Sequence, residues 1–500
     1  MATHKSVLQN ALTQFLGKGV TMFTSLLIVK IITGFGTEFY GDYVTTYEFL
    51  AFFGIIADAG LFAIAVKEIS QSDAKKESKE QKHSPSFILS NILSIRLILI
   101  LLVCGIAIIS AQFVPTYSPL IKSGIYLTAI SMGLTIVAGT LSSVLQARMK
   151  IQYFTLGLVL GKVFLALAIF YTAQNLEATS TLLTSHFTLF TSYTSSPFHL
   201  FLLAGVISNL IFLIIVYYFA RKEVKIHLQY NKKYWKQTLK VSLPYGLALI
   251  LQTLYLRLDI ILISLILGAS ATGIYGVSGR IMESFLILGV FFGQSILPKI
   301  SKENENTHDK TLPWAITILW IVALPIMWGL WIFAPQIITI LSSPEFLTTT
   351  DSIGADTALR VLLPTILFAY LNQLFTFTLV SKNRQNSLLI VNGTALLLNG
   401  VLNLIFLREY GIIAAAITTL LCEIIVFMLL WKEIKRQFPQ FPENLKKRTR
   451  ILFKVVIVNT ILAAIILLSP LRENLILSAV IAGGLYFSWL HQSKVLFKSQ

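Results

Sequence analysis

Apolar runs long enough to cross a lipid bilayer recur along the whole chain, separated by short polar segments. A helix needs about 20 mostly apolar residues to cross about 30 Å of hydrocarbon. Fourteen runs of roughly that length occur, at residues 8–33, 44–66, 86–112, 119–146, 152–173, 198–220, 241–267, 274–298, 312–334, 357–380, 387–407, 411–431, 451–469 and 473–491. The pattern predicts an all-α integral membrane protein of about fourteen transmembrane helices.

The composition excludes a water-soluble protein. Hydrophobic residues make up 55% of the 500 residues and charged residues only 13%, whereas an ordinary soluble domain is about a quarter charged. A single hydrophobic core stops growing at about 250–300 residues, so a soluble chain of this length would need several polar surfaces. Too few charges are present to cover them, and lipid must solvate the chain.

The net charge of +17 arises from topology, not from a nucleic-acid site. With the N-terminus inside and the spans alternating, twenty-nine of the 40 Lys and Arg residues lie in cytoplasmic segments and three in outer loops, while eight lie within spans. Such a bias is typical of multi-pass proteins. It predicts a protein of the cytoplasmic (inner) membrane with both termini in the cytoplasm. The basic inner segments at 67–84, 221–240 and 432–450 fit plain topological signals, and they could also lie on anionic membrane lipids.

An internal repeat relates the two halves of the chain. Residues 36–43 and 268–275 both read G-x4-G-x-Y, 232 residues apart and at equivalent turns after the first and seventh spans. Six helices separate the copies, so both halves have the same orientation, as in one recurring transporter design with the substrate site between the halves. The repeat predicts an N-terminal six-helix lobe (1–220), a basic cytoplasmic linker (221–240), a C-terminal six-helix lobe (241–433) and two additional transmembrane helices (434–500).

Motifs within this framework resemble those of bacterial polysaccharide flippases of the O-antigen type. They are YGDY at 40–43, AD-x-GL at 57–61, LDIILISLILGASATGIYGVSGRIMESF at 258–285, ILPKIS at 296–301, Asn399 with Asn403, and REYGIIAAAITT at 408–419. The similarity covers residues 8 to 433. The same superfamily contains multidrug exporters and the peptidoglycan-precursor flippase.

The resemblance implies a transporter that moves a polyprenyl-diphosphate-linked oligosaccharide from the inner to the outer leaflet by alternating access. No metalloprotease, serine-hydrolase or phosphate-loop motif occurs, so we expect neither an enzyme nor a cofactor. Without a nucleotide site, an ion gradient (H⁺ or Na⁺) would drive transport, as in an antiporter.

Cations within the spans are the candidate substrate ligands. A charge inside a span costs at least about 2.5–3.5 kcal/mol on insertion scales and normally faces protein or a water-filled cavity. Cations bind a diphosphate, arginine by bidentate contacts and lysine as a point charge. The favoured candidates are Arg257, near the middle of the seventh span, then Arg280 and Arg96, and then Lys18 and Lys162. The other three (Lys30, Arg360, Lys454) lie near span ends, where a long side chain reaches water.

The intramembrane acids are Glu48, Asp58, Asp259, Glu283 and Glu423. Intramembrane carboxylates often bind the coupling ion, and Asp58, Asp259 and Glu283 are the candidates. Arg280 and Glu283 share a helix face and also fit a structural ion pair. Arg257 and Asp259 are about 200° apart around a helix, so only one of them can face a given cavity.

Two other functions fit parts of the pattern. A multidrug or organic-cation exporter of the same superfamily would share the fold, but its cavity should be acidic, whereas the spans hold eight cations and five acids. A membrane glycan polymerase or ligase would need a sizeable outer region with catalytic groups, and the outer loops are short.

Overall fold

The computed structural model describes residues 4–58, 60–74, 83–176, 196–302, 305–382 and 384–493. All regular elements in these ranges are helical. They are α1 (His4–Thr33), α2 (Thr37–Asp58), α3 (Leu61–Ala74), α4 (Pro85–Gln112), α5 (Pro119–Ala147), α6 (Gln152–Gln174), α7 (Pro197–Glu223), α8 (Lys232–Ile266), α9 (Ala269–Lys302), α10 (Glu305–Ile332), α11 (Ala334–Leu341), α12 (Ala355–Leu362), α13 (Thr365–Ser381), α14 (Gln385–Gln437), α15 (Phe441–Lys446), α16 (Thr449–Leu468) and α17 (Leu475–Gln492), with 3-10 turns at Pro344–Phe346 and Pro470–Glu473.

The described helices confirm a multi-pass membrane protein. Twelve helical segments in these ranges are long and apolar enough to cross a membrane. One of them lies in α14, whose 53 residues would extend about 80 Å, but α14 breaks at Gly411 (φ +57°) and therefore supplies two spans. The pair α12 and α13, bent by 45°, supplies one more. Counted in this way, the helices agree with the approximate number predicted from the sequence.

Two spans differ from the predicted continuous helices. The second begins at Thr37 rather than residue 44, and it breaks after Asp58, where Gly60 adopts φ +73°. Glycine allows this conformation at no steric cost. The tenth span breaks around Pro364, because a proline has no N–H to continue the helical hydrogen bonds. Hydropathy alone did not indicate either break, since apolar residues continue through both.

Several spans begin at sequence signals that are standard helix starts. Ser84 precedes Pro85 and its side chain accepts a hydrogen bond from the Phe87 N–H. Ser118 precedes Pro119 and accepts from the Ile121 N–H in the same way. A capping side chain satisfies one of the first free N–H groups, and proline at the first helical position loses no bond.

Large apolar side chains cover the outside of the helices as well as the inside. Leu101, Leu397 and Leu468 are 74%, 71% and 89% exposed, which in water would be an aggregation hazard. In a membrane these side chains face lipid. The interior is filled instead by clusters such as Leu89, Ile92 and Leu141, where α3, α4, α5 and α7 pack together.

Contacts divide the chain into two units, Met1–Gly273 and Ile274–Gln500. In the first, α7 packs against α5 and α6, α1 against α6, and α8 against α2, α3 and α4. In the second, α13 and α12 pack against α14, while α16 packs against α10. The seventh span therefore has its contacts within the first unit. The division predicted from the repeat, with lobes at 1–220 and 241–433 and two additional helices in 434–500, stays a prediction.

The basic linker 221–240 is hydrogen-bonded to α3 and α4. The Lys225 carbonyl accepts a 2.6 Å hydrogen bond from Ser86, and the Gln229 N–H donates to Ser94 at 3.0 Å. At the start of α8, the Tyr234 hydroxyl donates to Glu68 at 2.6 Å. Burial raises the pKa of Tyr234 well above its ordinary value, so its hydroxyl stays protonated and can donate. The linker is thus part of the first unit rather than a loose connection.

Candidate functional site: charged pairs and paired turns within the membrane

The two copies of the G-x4-G-x-Y motif meet each other in the first unit. Gly36 (φ +101°) and Gly268 (φ +88°) end the turns, and the second glycine of each motif lies in the first turns of the next helix. A β-carbon on Gly41 would overlap the Ala269 carbonyl, and one on Gly273 would overlap the Thr37 carbonyl.

This contact is reciprocal, because Thr37 corresponds to Ala269 and Gly41 to Gly273 in the repeat. The Thr37 and Ser270 hydroxyls lie 2.9 Å apart beside it. The sequence predicts the repeat but not that its copies touch. Only glycine permits such close approach of two backbones.

The cation favoured by the sequence, Arg257 on α8, forms an ion pair with Glu48 on α2. The carboxylate is nearly enclosed, with 10% of its side chain exposed, whereas the guanidinium side chain keeps 31% of its exposure. Asp259, two residues along the same helix, is buried and its carboxylate accepts a hydrogen bond from the Ile260 N–H at 2.8 Å. The two neighbouring charges therefore have different surroundings.

Arg96 and Asp58, predicted in different roles, are partners. Arg96 on α4 is 3% exposed, pairs with Asp58 at the end of α2, and donates to the Thr140 hydroxyl of α5 at 2.8 Å. The pair thus lies at the break between α2 and α3. Because the guanidinium is enclosed and has two partners, it is less accessible to a substrate than that of Arg257.

The other predicted residues have surroundings of their own. Arg280 and Glu283 form a 2.8 Å ion pair along one face of α9, with 38% and 52% of their side chains exposed. Lys18 on α1 and Lys162 on α6 are partly buried, and these two helices pack against each other.

Two further intramembrane acids, to which the sequence pattern assigns no role, have partners in the structure. Glu48 is the partner of Arg257. Glu423 in α14 is 5% exposed, and the Asn372 amide donates to its carboxylate at 2.6 Å and to its backbone carbonyl at 3.0 Å. In both cases an isolated acid in an apolar run indicates that the residue has a partner. The sequence does not identify that partner, because it lies far away along the chain.

The second unit contains an apolar cavity of about 370 Å³, lined by α10 and by the last two helices. Its walls include Trp328, Phe333, Leu462, Ala482 and Tyr486.

The polar groups in this wall bond back to the protein. The Asn459 amide donates to the Val455 carbonyl, the Ser478 hydroxyl to Leu471, and the Tyr486 hydroxyl to Ile321. The space left is therefore suited to hydrocarbon.

Comparisons with known proteins agree with this architecture. The family model described as "Polysaccharide biosynthesis protein" matches residues 5–302, and the one described as MatE matches residues 244–405. No curated protein matches the chain by sequence.

Among solved structures, the lipid II flippase MurJ in an inward closed conformation aligns with a TM-score of 0.72 at 15% identity, covering 98% of this chain and 100% of that chain. A multidrug resistance MATE family transporter of the MOP superfamily, in an inward-facing conformation, aligns at 0.60 and 15%, covering 85% and 98%. A MOP superfamily transporter from Pyrococcus furiosus, whose binding pocket is described as having reverse polarity, aligns at 0.56 and 16%, covering 87% and 96%. At these identities the likeness shows a shared fold.

Proposed function

Because this chain belongs to the polysaccharide biosynthesis protein family, we propose that it is a flippase that moves a polyprenyl-diphosphate-linked oligosaccharide from the inner to the outer leaflet by alternating access. Its family and fold are those of membrane flippases and transporters. The glycan carrier, the direction and the energy source are the parts that we add.

The observation that carries the proposal is the partly exposed side chain of Arg257 inside the seventh span. A charge at that depth is costly, and a diphosphate head group bearing about two negative charges is its natural ligand. Arg280, Lys18 and Lys162 are further candidate cations at partly buried positions. Arg96, which is enclosed and paired with the partly exposed Asp58, would stabilise the broken second span.

The apolar cavity of the second unit supports a lipid-linked substrate. An isoprenoid chain needs hydrocarbon surroundings, and the cavity offers about 370 Å³ lined by helices from the last part of the chain, 434–500, together with α10. We place part of the polyprenyl tail there, while the remainder stays in membrane lipid. A water-soluble head group would not bind in this apolar space.

Alternating access follows from the repeat. Two lobes of equal orientation, 1–220 and 241–433, would rock against each other, and the meeting of the two glycine turns would end when the outer side opens. An H⁺ or Na⁺ gradient would drive the cycle through an intramembrane carboxylate, with Asp58, Asp259 and Glu283 as candidates. We place the protein in the inner membrane with both termini in the cytoplasm, so that the glycine turns face outward.

The test is to delete the gene in its host and measure the polyprenyl-diphosphate lipids by mass spectrometry. We expect one glycan-loaded lipid to accumulate, with loss of the matching surface polymer, and its mass would identify the glycan. An unchanged lipid profile, in a strain that makes such lipids and lacks a redundant flippase, would contradict the proposal and favour the exporter.

A further inference from the structure

Glu48 and Arg257 join two helices at about the same depth in the membrane. Glu48 lies eleven residues after the start of α2, and Arg257 nine residues before the end of α8. At 1.5 Å per residue, these positions are roughly 16 Å and 14 Å from the helix ends at the glycine turns. The ion pair is therefore near mid-membrane, and its two members lie 209 positions apart in the sequence.

We propose that Glu48 is an internal counter-anion of the substrate site. Its carboxylate pairs with Arg257 before substrate binds, and the diphosphate of the substrate displaces it. This inference rests on the proposed function. A guanidinium in low dielectric needs an anionic partner, and a buried carboxylate supplies one without a ligand. A diphosphate carries more charge and more acceptor oxygens than a carboxylate, so it competes for the same guanidinium.

The seam between α2 and α8 links this exchange to the glycine turns. α8 packs against α2, and both helices end at the place where Gly41 meets Ala269. On α8, Ser264 lies between Arg257 and the turn, and its hydroxyl is 3.3 Å from that of Tyr117, which precedes α5. Displacing Glu48 breaks the ion pair that joins α2 to α8, so the two helices can move relative to each other. Substrate binding would thereby loosen the contact between the turns.

The conformational part is tested without any ligand. Cysteines replace Thr37 and Ser270, whose hydroxyls lie 2.9 Å apart, in the full-length protein with Cys104 and Cys422 changed to serine. The measured quantity is the fraction of oxidised, cross-linked protein in lipid vesicles. We expect Glu48→Gln and Arg257→Gln each to lower the cross-linking rate at least threefold. The double variant should lower it no further, because either change alone already breaks the pair.

The control is Glu433→Gln, which removes an ion pair with the exposed Arg436 on a single helix. It should leave the cross-linking rate unchanged. Equal rates in the parent and in Glu48→Gln would overturn the inference, whatever the substrate.

The ligand part uses geranylgeranyl diphosphate and the corresponding monophosphate as probes. We expect Glu48→Gln to bind the diphosphate about tenfold more tightly than the parent, because it removes the competitor of the ligand. Arg257→Gln should bind at least tenfold more weakly, and the double variant should resemble it. A merely structural glutamate would not give tighter binding when removed.

The outcomes separate this inference from the proposed function. Weaker binding in Arg257→Gln with no gain in Glu48→Gln would leave the flippase proposal standing and overturn the counter-anion role. If no variant binds the diphosphate, the proposed substrate class fails, and the role of Glu48 toward it fails as well.

Discussion

Gly41 and Gly273 lie face to face at the meeting of the two repeat turns. A β-carbon added to either glycine would lie 3.0 Å from the backbone nitrogen of the other, and it would also overlap a carbonyl group. The two residues are equivalent in the repeat, so the contact has local two-fold symmetry. A single methyl group on either side must therefore push the two turns apart.

We predict that Gly41→Ala and Gly273→Ala each prevent closure of this contact. The obstacle is backbone rather than a flexible side chain, so neither neighbour can move aside cheaply. Transport should fall at least tenfold, and cross-linking between cysteines at positions 37 and 270 should fall with it. Gly279→Ala is the matched control, since it lies on the same helix as Gly273 and its added methyl group meets no atom within 4 Å. Normal closure in both alanine variants would contradict the prediction.

Reversing the charge at Arg257 distinguishes the flippase from a cation exporter. Arg257→Glu would place two carboxylates together with Glu48 and remove the anion-binding group, so we expect loss of glycan-lipid transport by at least a hundredfold. Arg257→Lys keeps the charge but not the bidentate geometry, and about a tenfold loss is expected. The measurement is restoration of surface polymer in the deletion strain. Full restoration of surface polymer by Arg257→Glu would contradict the role of Arg257 as a diphosphate ligand, whereas retained efflux of an organic cation by the same variant would favour the exporter.

The Arg96–Asp58 pair should contribute to folding. Asp58→Asn leaves the enclosed guanidinium without its counter-charge, and breaking a buried pair costs about 3–5 kcal/mol. Because Asp58 keeps 26% of its side-chain exposure, we expect the low end, about 3 kcal/mol. The change in the free energy of unfolding is measured by thermal unfolding in detergent.

The Arg280–Glu283 pair, which is more exposed than the Arg96–Asp58 pair, provides the comparison for stability. Arg280→Gln should change the unfolding free energy by less than about 1 kcal/mol. Equal effects of Asp58→Asn and Arg280→Gln would show that the burial of Arg96 does not matter.

Filling the apolar cavity should affect long-chain substrates selectively. Ala482→Phe adds a ring to the cavity wall, so we expect transport of a full-length polyprenyl substrate to fall about tenfold while a short-chain analogue is moved normally. Val480→Phe is the control on the same helix, since Val480 is 66% exposed toward lipid. An equal loss for both chain lengths would argue against a tail site.

The amino-acid sequence is enough to locate the membrane spans, because each residue's hydropathy decides whether it is more stable in lipid or in water. The sequence also reveals the repeat, since matching residues at a constant spacing are recognised without knowledge of the fold. It predicted that Arg280 could pair with Glu283, since residues three apart share a helix face.

The partners of groups that are distant in the sequence become known only from the fold. Glu48 meets Arg257, Arg96 meets Asp58, and Gly41 meets Gly273 because of how neighbouring helices are rotated and packed. The break at Gly60 likewise depends on a backbone conformation within a mostly apolar run, whereas the break at Gly411 coincides with the boundary that Arg408 and Glu409 already indicate between the runs 387–407 and 411–431. Hydropathy places a residue at a depth in the membrane, whereas its contacts depend on the face that its helix presents, and side-chain packing between helices sets that face.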